Sequence, residues 1–325
     1  MLHAPRFWTE DGPLPVLLSP FAAISARLTA ARVARPGFAA PVPVICCGNV
    51  TLGGTGKTTL VLDLAERLLA VGTRVHVLAR GYGGKLRGPL RVLPSHGAAE
   101  VGDEACLLAE TVPTWIGADR AATARLALAA GASVLVMDDG LQNPTLKKSL
   151  SFIVIDGGAG FGNLHVFPAG PLREPIASAA ARASAAVLIG PDRHSAQALL
   201  PPTLPILTAR LVPVAANLAG RRVLAFAAIG RPEKFFETLE ETGAKLVARH
   251  SFPDHHPYRD AELSRLLAEA DRHDALPVTT AKDRVRLPPS LRDRVAVLSV
   301  TLAWDDPTAL SQQLARILSP VLWRH

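Results

Sequence analysis

A glycine-rich segment that ends in lysine and threonine is the first feature of this 325-residue chain with chemical potential. Gly48–Thr59 reads GNVTLGGTGKTT, after an apolar run and before a stretch of helical spacing. Glycines let successive backbone N–H groups point at one anion, and the start of a helix adds partial positive charge. The pattern is typical of a P-loop, in which Lys57 reaches the outer phosphates of a nucleotide and the Thr58 hydroxyl binds Mg²⁺.

The match to a P-loop is imperfect at one position, because the strict pattern has glycine where Thr51 stands. A variant loop of ATPases that switch on dimerisation carries a lysine before the double glycine, and this chain has Leu52 there. A plain glycine-rich turn is the remaining alternative. The expected nucleotide-binding residues are Thr51, Gly53, Gly54, Thr55, Gly56, Lys57, Thr58 and Thr59.

Two acidic pairs could work on the bound phosphates. The apolar run Ser133–Met137 ends in Asp138 and Asp139, which predicts a carboxylate at the C-terminal edge of a parallel sheet, where the Mg²⁺ of a P-loop protein lies. Asp103 and Glu104 follow a glycine. They could begin a helix, or one carboxylate could face the γ-phosphate and accept a proton from an attacking hydroxyl.

Two neighbouring histidines, His255 and His256, follow Asp254 late in the chain. A metal site is disfavoured because adjacent residues of an extended chain point in opposite directions and further ligands are missing. An Asp–His pair that tunes a catalytic base across a cleft is more plausible than a metal site, and an ordinary loop histidine is the alternative. Cys46, Cys47 and Cys106 cannot form a disulfide framework, so we expect buried packing residues in a reducing cytosol.

The elements that must position these residues alternate between short β-branched runs and Ala/Leu/Arg-rich helical stretches. This predicts an α/β fold like that of P-loop NTPases, with a mainly parallel sheet, helices on both faces and a second, smaller α/β domain. A charge-poor, proline-rich stretch places the boundary near Val212–Gly220, giving domains at 1–215 and 216–325. Predicted strands lie at Val42–Cys47, Arg74–Ala79, Thr114–Ile116, Ser133–Met137, Phe152–Asp156, Ala185–Ile189, Ile206–Arg210, Val223–Ala228, Ala244–Ala248, Pro277–Thr280 and Val295–Val300.

Composition and charge exclude some classes and leave others open. Apolar residues at 49% and charged residues at 19% exclude a disordered polymer, and only 5% aromatic residues argue against a base-stacking nucleic-acid surface. The net charge of +7 suits phosphate-bearing substrates, anionic membranes or nucleic acid without choosing between them.

The N-terminal segment is not expected to span a membrane, because its uncharged stretch is short and contains three prolines. It is not expected to be a secretory signal, because it lacks a basic start and a small-residue cleavage site. From Pro20 onward an apolar stripe of helical spacing is flanked by arginines, which fits a helix lying in a membrane interface. A helix packed on its own domain is the alternative. The stripe is Phe21, Ile24, Leu28 and Ala31, and the arginines are Arg27, Arg32 and Arg35.

Several strings, found in order along almost the whole chain, together resemble the tetraacyldisaccharide 4'-kinase family, the lipid A 4'-kinases of Gram-negative bacteria. RGYGG at 80–84 and PAGPLREP at 168–175 are the most specific, since neither belongs to P-loop proteins in general. The other matches are Gly48–Thr58, Gly102–Glu104, Asp138–Gln142, Ala225–Phe236 and Asp254–His255.

The resemblance implies transfer of the γ-phosphate of ATP to the 4'-hydroxyl of tetraacyldisaccharide 1-phosphate, which gives lipid IVA. It implies a peripheral enzyme at the cytoplasmic face of the inner membrane, held to the anionic surface by its N-terminal helix, with no nucleic acid and no obligate protein partner. Carried over by position, Lys57 and Thr58 bind phosphates and Mg²⁺, and Asp138, Asp139 and Glu104 surround the metal. Asp103 matches the proposed general base, and His255 matches its partner.

The chain departs from the family pattern at three places. Asn143 replaces the usual histidine after DDGLQ, Ala281 replaces the glutamate of TEKD, and an acid is missing near residues 147–149. Arg80 and Arg173 lie in family strings, and their charge suggests that one of them contacts a phosphate. The rival hypotheses are a nucleotide-dependent switch ATPase of the variant P-loop class and a kinase of a soluble small molecule.

Overall fold

The computed structural model describes residues 5–10, 12–214 and 217–318. The strands are β1 (Val44–Gly48), β2 (Val75–Ala79), β3 (Leu90–Arg91), β4 (Thr114–Ile116), β5 (Val134–Asp138), β6 (Leu150–Asp156), β7 (Ala185–Ile189), β8 (Ile206–Pro213), β9 (Arg222–Ala227), β10 (Lys245–Ser251), β11 (Leu276–Thr280), β12 (Ala296–Leu298) and β13 (Val300–Trp304). The helices are α1 (Pro13–Val33), α2 (Lys57–Ala70), α3 (Ala98–Val101), α4 (Asp103–Ala109), α5 (Arg120–Ala129), α6 (Ile176–Ala180), α7 (Pro232–Glu241), α8 (Asp260–Arg272), α9 (Ala281–Arg284), α10 (Pro289–Arg292) and α11 (Pro307–Ala315), with 3-10 turns at Arg6–Trp8 and Ala196–Leu199.

Among these strands, nine form one sheet in the order β13-β8-β7-β6-β1-β5-β2-β4-β3. The pairing is parallel except for β3 with β4 and β13 with β8, one antiparallel pair at each edge. Side chains of a strand alternate between the faces, so Ile45 and Cys47 pack with α2, and Val44 and Cys46 pack on the opposite face with α5 and α6. The near-continuous apolar run of β1 is what a strand buried on both faces requires. The predicted α/β class with a mainly parallel sheet is confirmed.

The cysteines behave mostly as packing residues. Cys46 and Cys47 are fully buried, whereas Cys106 is only partly so. Burial raises the pKa of the Cys46 thiol to about 11, which keeps it protonated and unreactive.

The second series of strands forms a separate parallel sheet in the order β10-β9-β11-β12. Helix α7 covers one face through Phe236 and Leu239, and α8 covers the other through Leu263 and Leu266. We call the nine-stranded sheet with its helices the large domain, and the four-stranded sheet with its helices the small domain.

The run expected as one strand at Val295–Val300 is two strands in different sheets. β12 pairs with β11 in the small domain, whereas β13 pairs antiparallel with β8 in the large domain. The buried Leu310 and Leu314 of α11 join the core of the large domain, so residues 300–318 return to it. The expected division placed all of 216–325 in one domain, and its boundary at Ala215 and Ala216 lies outside the described residues. Periodicity marks a strand but carries no information about its partner, which is why this return was missed.

Helix α1 begins at Pro13, seven residues before the expected start. Pro13 and Pro15 lie in its first turn, where backbone N–H groups have no partner within the helix, so they do not break it. Pro20 lies inside the helix. Among the described residues, α1 is one helix whose length and mean hydropathy (1.4) are sufficient to cross a membrane. The sequence analysis expected no such segment. A single such helix near the N-terminus is weak evidence, since signal sequences pass the same test.

The apolar stripe of α1 faces away from the protein. Pro15, Ala22 and Thr29 are the buried residues of the helix and share one of its faces. The opposite face carries exposed side chains of Leu14, Leu17, Phe21, Ile24 and Leu28. The helix therefore lies on the domain with polar and small residues and leaves its apolar stripe without protein cover.

Candidate active site

The phosphate-binding loop joins β1 to α2 at the carboxyl edge of the large sheet. Gly53 and Gly56 have φ of 108° and 88°, a region that side chains disfavour, and a Cβ at Gly56 would lie 2.8 Å from Cδ1 of Ile189. The Leu52 N–H donates to the Pro171 carbonyl at 2.8 Å, and Thr51 bridges to Leu172. The loop is therefore held against the PAGPLREP string, with its N–H groups next to the start of α2.

Register places the acidic pair beside this loop, because β1 and β5 are neighbours with Cys47 opposite Asp138. The Thr58 hydroxyl donates to Oδ2 of Asp138 at 3.5 Å, and Nζ of Lys57 lies 3.9 Å from Oδ1 of Asp139. Two motifs about eighty positions apart thus meet at one point, as the parallel-sheet argument predicted.

The two neighbouring aspartates occupy opposite electrostatic environments. Burial raises the pKa of Asp138 to about 7, helped by the charge of Glu104, and its Oδ1 is buried without a hydrogen-bond partner. Burial also acts on Asp139, but the charges of Lys57 and Arg173 outweigh it and lower the pKa of that carboxyl. Arg173 donates to both carboxylate oxygens of Asp139, at 2.9 and 3.0 Å.

The residues near Thr58 fit a hard divalent cation. Mg²⁺ prefers oxygen ligands and keeps several waters and phosphate oxygens, so it needs few protein groups. The hydroxyl of Thr58 and the unpartnered oxygen of Asp138 meet that need, and no group of three or more His, Cys, Asp or Glu that could hold a metal occurs among the described residues. Asp139 is engaged by Arg173 and Glu104 by Lys282, so they stay predictions for the surroundings of the metal.

Asp103 and His255 come together across the two domains. Asp103 is the first residue of α4, and Nδ1 of His255 lies 2.7 Å from its Oδ2. The Glu104 N–H donates to Oδ1 of Asp103 at 2.8 Å. His255 adopts φ of 60°, a conformation that is uncommon for residues other than glycine and costs free energy unless its surroundings fix it. His256 points elsewhere and pairs with Glu262 at 2.9 Å, so the two histidines do not share a site.

The Asp103 carboxylate is held in its charged form. Burial alone would raise its pKa, but the hydrogen bond from His255 and the charges of Lys282 and Arg286 outweigh burial and lower it. Because a carboxylate oxygen has two lone pairs, Oδ1, with its one N–H donor, has room for a proton from a substrate hydroxyl.

Two basic residues of the small domain were missed by the sequence analysis. Nζ of Lys282 lies 3.2 Å from Oε1 of Glu104, and Nε of the buried Arg286 lies 3.3 Å from Oδ2 of Asp103. The available signal was the string TAKD at 280–283, which drew attention only through its alanine. A lone lysine in a short helix carries no sequence signal for the domain that it contacts.

Other family strings build the walls of the site. Gln142 donates to the Asn49 carbonyl and to the buried Glu174, and ties the acidic pair to the P-loop and to PAGPLREP. Asn143, where the family has histidine, caps its own loop by accepting from Thr145. Arg80 is exposed.

The apolar face of α1 adjoins the predicted P-loop. A groove of about 380 Å³ lies between Ser25, Leu28 and Thr29 of α1 on one side and Leu52, Phe167 and Arg173 on the other. The apolar groove therefore ends at the guanidinium group of Arg173, which contacts Asp139.

Comparison with known proteins agrees along the whole chain. A family model described as tetraacyldisaccharide-1-P 4'-kinase matches residues 14–319. The chain is 58% identical over 313 residues to the tetraacyldisaccharide 4'-kinase of Gluconacetobacter diazotrophicus, covering 95% of this chain and 96% of the relative. It is 50% identical over 325 residues to that of Rhodospirillum rubrum, covering 98% of each.

A solved structure is similar to the whole fold. The crystal structure of LpxK from Aquifex aeolicus in complex with ATP matches with a TM-score of 0.79 and 27% identity, over 94% of this chain and 100% of that chain. The positions of the family motifs in the fold, the site that they form and these matches all indicate the same family. The chain belongs to the tetraacyldisaccharide 4'-kinase family.

Proposed function

We propose that this kinase transfers the γ-phosphoryl group of ATP to the 4'-hydroxyl of tetraacyldisaccharide 1-phosphate and so forms lipid IVA. The observation that carries the proposal is an ionised carboxylate, Asp103, that a histidine of the other domain orients. Its neighbour Glu104 acts electrostatically on Asp138, which contacts Thr58 of the P-loop. A P-loop alone supports any nucleotide reaction. The ATP-bound relative of the same fold supports ATP as the donor.

The reaction is a direct in-line displacement. The 4'-oxygen forms a bond to the γ-phosphorus while the bond from that phosphorus to the β–γ bridging oxygen breaks, and its electron pair leaves with ADP. Asp103 takes the hydroxyl proton through Oδ1, while His255 donates to Oδ2 and holds the carboxylate in place. Lys57 and the loop N–H groups hold the negative charge that builds on the phosphates.

Thr58 and Asp138 would hold Mg²⁺ in this site, with Asp139 and Glu104 in its surroundings. When bound, the ion neutralises charge on the β- and γ-phosphate oxygens. Arg173 keeps Asp139 charged and in place at the edge of the groove.

The lipid substrate accounts for the uncovered stripe of α1. We propose that the acyl chains lie along this stripe and the groove to Arg173, and that the enzyme is peripheral on the cytoplasmic face of the inner membrane. Arg27, Arg32 and Arg35 suit the phosphates of an anionic surface. We propose neither a nucleic-acid partner nor an obligate protein partner.

Transfer of label from [γ-³²P]ATP to tetraacyldisaccharide 1-phosphate, in detergent with Mg²⁺, tests the reaction, with Lys57→Ala as the control. A labelled lipid that disappears in the control supports donor and acceptor together. ATP hydrolysis with no labelled lipid contradicts the acceptor. ATP-driven dimerisation would favour the switch ATPase, against which Leu52 already counts, and transfer to a soluble sugar would favour the small-molecule kinase.

The assignment of Asp103 has its own test. Asp103→Ala is expected to lower turnover at least ~10²-fold, since positioned general bases contribute about 10²–10⁴. ATP affinity should change little, because Asp103 lies outside the P-loop. Turnover is measured in the same labelling assay and affinity by titration with a fluorescent ATP analogue; near-normal turnover removes the assignment.

A further inference from the structure

Lys282 brings a positive charge from the small domain to the Asp103–His255 pair. Its Nζ lies 3.2 Å from Oε1 of Glu104, 3.4 Å from Nε2 of His255 and 4.0 Å from Oδ1 of Asp254. An ammonium group has three N–H donors, and these three groups are acceptors. The three acids Glu104, Asp103 and Asp254 outweigh burial and raise the pKa of Lys282, so it stays charged.

The position of Lys282 matches the His255 tautomer that the Asp103 carboxylate favours. The ammonium can only donate, so Nε2 must accept and Nδ1 must hold the hydrogen that it donates to Asp103. The opposite tautomer would set an N–H against the ammonium and a lone pair against the carboxylate. Both contacts would be repulsive.

The other groups around His255 pull in different directions. Oδ2 of Asp254 lies 3.8 Å from the same Nε2 and favours a proton there. The ring of Tyr82 meets the imidazole edge-on with centroids 5.6 Å apart, and Arg286 contacts Asp103 rather than the ring. Lys282 therefore opposes Asp254 at Nε2, and its removal would leave that carboxylate free to draw the imidazole away from Asp103.

We propose that Lys282 is a positioning residue of the kinase, which fixes the orientation of His255 through Nε2 and ties it to Glu104 across the domain interface. Asp103 then keeps its hydrogen bond from Nδ1 and presents Oδ1 to the substrate. This assignment rests on the proposed function. It adds a requirement that the P-loop and the Asp103–His255 pair do not contain: the site is complete only when α9 lies on α4.

A simple ion pair between domains is the alternative, and the chain offers a matched control for it. Arg284 lies two residues further along α9, and its Nη1 is 3.5 Å from Oε1 of Glu110 at the C-terminal end of α4. Arg284→Met removes one positive charge and one ion pair between the same two helices without touching His255.

The kinase assay separates the two explanations. Lys282→Met is expected to lower kcat by about 10–100-fold with little change in KM for ATP, because misplaced catalytic groups cost about that much. Lys282→Arg should recover part of this loss, since it keeps the charge near Glu104. Arg284→Met should stay within about twofold, as exposed ion pairs contribute little. Equal losses in Lys282→Met and Arg284→Met would overturn the proposal.

Coupling to His255 is the sharper measure. In a His255→Ala background, Lys282→Met should add less than about twofold, because residues that act as a unit are not additive. A full further loss would mean that Lys282 does not act through His255 and would overturn the proposal.

The tautomer can be read without any activity. In protein labelled with ¹⁵N-histidine, the His255 signal, assigned by its absence in His255→Ala, should show a protonated Nδ1 and a bare Nε2. Lys282→Met should shift the Nε2 resonance, because that nitrogen loses its donor, and Arg284→Met should leave it unchanged. A protonated Nε2 in the unsubstituted enzyme overturns the positioning role. Failure to phosphorylate the lipid, with the expected tautomer present, overturns the proposed substrate instead.

Discussion

At the scale of single residues, neighbouring side chains of one type have different chemistry because the backbone sends them to different places. Asp138 is the last residue of β5 and is buried beside Thr58, whereas Asp139 has φ of 52° and turns toward Arg173. Among the described residues, no positively charged side chain forms an ion pair with Asp138, whereas Lys57 and Arg173 both form ion pairs with Asp139. Sequence adjacency alone would assign them one role.

This contrast predicts opposite effects of two matched substitutions on stability. The pKa of Asp138 is higher in the folded protein than in the unfolded chain, so its burial becomes more costly as pH rises from about 4 through about 7. Asp138→Asn should therefore raise the unfolding free energy of the ligand-free protein at pH 8 by at least about 1 kcal/mol, since one pKa unit corresponds to ~1.4 kcal/mol. The gain should shrink as the pH falls to 5.

Asp139→Asn is the control with the opposite sign. The pKa of Asp139 is lowered by its pairing, so it stabilises the fold above the unfolded value of 3.8, and its loss should destabilise the protein at pH 8. Denaturant unfolding at pH 5 and pH 8 measures both variants. The same sign for both at pH 8 would contradict this account of the acidic pair.

At the scale of elements, α1 is unusual because one helix carries both a packing face and an uncovered apolar stripe. The stripe follows the i, i+3, i+7 spacing of a single helix face, from Leu14 through Leu17 and Phe21. In water, exposure of such a stripe is unfavourable, because apolar side chains gain free energy when they leave water. A lipid phase accounts for the stripe, because it takes up apolar area while the arginines meet phosphates.

The double substitution Leu17→Ser with Phe21→Ser should weaken sedimentation with anionic lipid vesicles by more than tenfold, because burial of each large apolar side chain is worth about 1.5–3 kcal/mol. Thermal stability should hardly change, since both side chains are exposed. Leu69→Ser, on an exposed position of α2, is the control and should bind as before. Equal binding by all three proteins would show that the stripe does not contact lipid.

At the scale of the whole molecule, the chain passes between the two domains twice. It leaves the large domain after β8 and returns at β13, which pairs with β8 itself. The Trp304 indole N–H also donates to Asp63 of α2, and Arg231 of the small domain contacts Asp156 at 2.7 Å. Residues 300–318 therefore stabilise the large domain.

Hydrogen exchange should reveal this return. Leu314 of α11 and Leu239 of α7 are both fully buried, and each change to alanine should cost about 2–5 kcal/mol. Leu314→Ala should speed amide exchange in β8 and α2, whereas Leu239→Ala should speed it in β9 and β11. Faster exchange in the small domain on substituting Leu314 would contradict the assignment of residues 300–318 to the large domain.

Local chemistry is the part that the sequence determined by itself. The P-loop could be predicted because Gly53 and Gly56 need backbone conformations that few other residues adopt. The acidic pair could be predicted because an apolar strand that ends in Asp138, in a chain with a P-loop, indicates a carboxylate near the bound metal. The α/β class followed from side-chain periodicity, which a chain shows without knowing its partners. The Asp103–His255 pair was expected only through the family resemblance.

Only the tertiary structure decided what depends on contacts between distant segments. These are the sheet that β13 joins, the face of α1 that stays uncovered, and the place of Lys282 between Glu104 and His255. Each is set by which surfaces pack together, and a side chain's own sequence neighbours do not encode that. Residues that act within one turn can be read from the chain, whereas residues that act across a domain interface exist as a site only after folding.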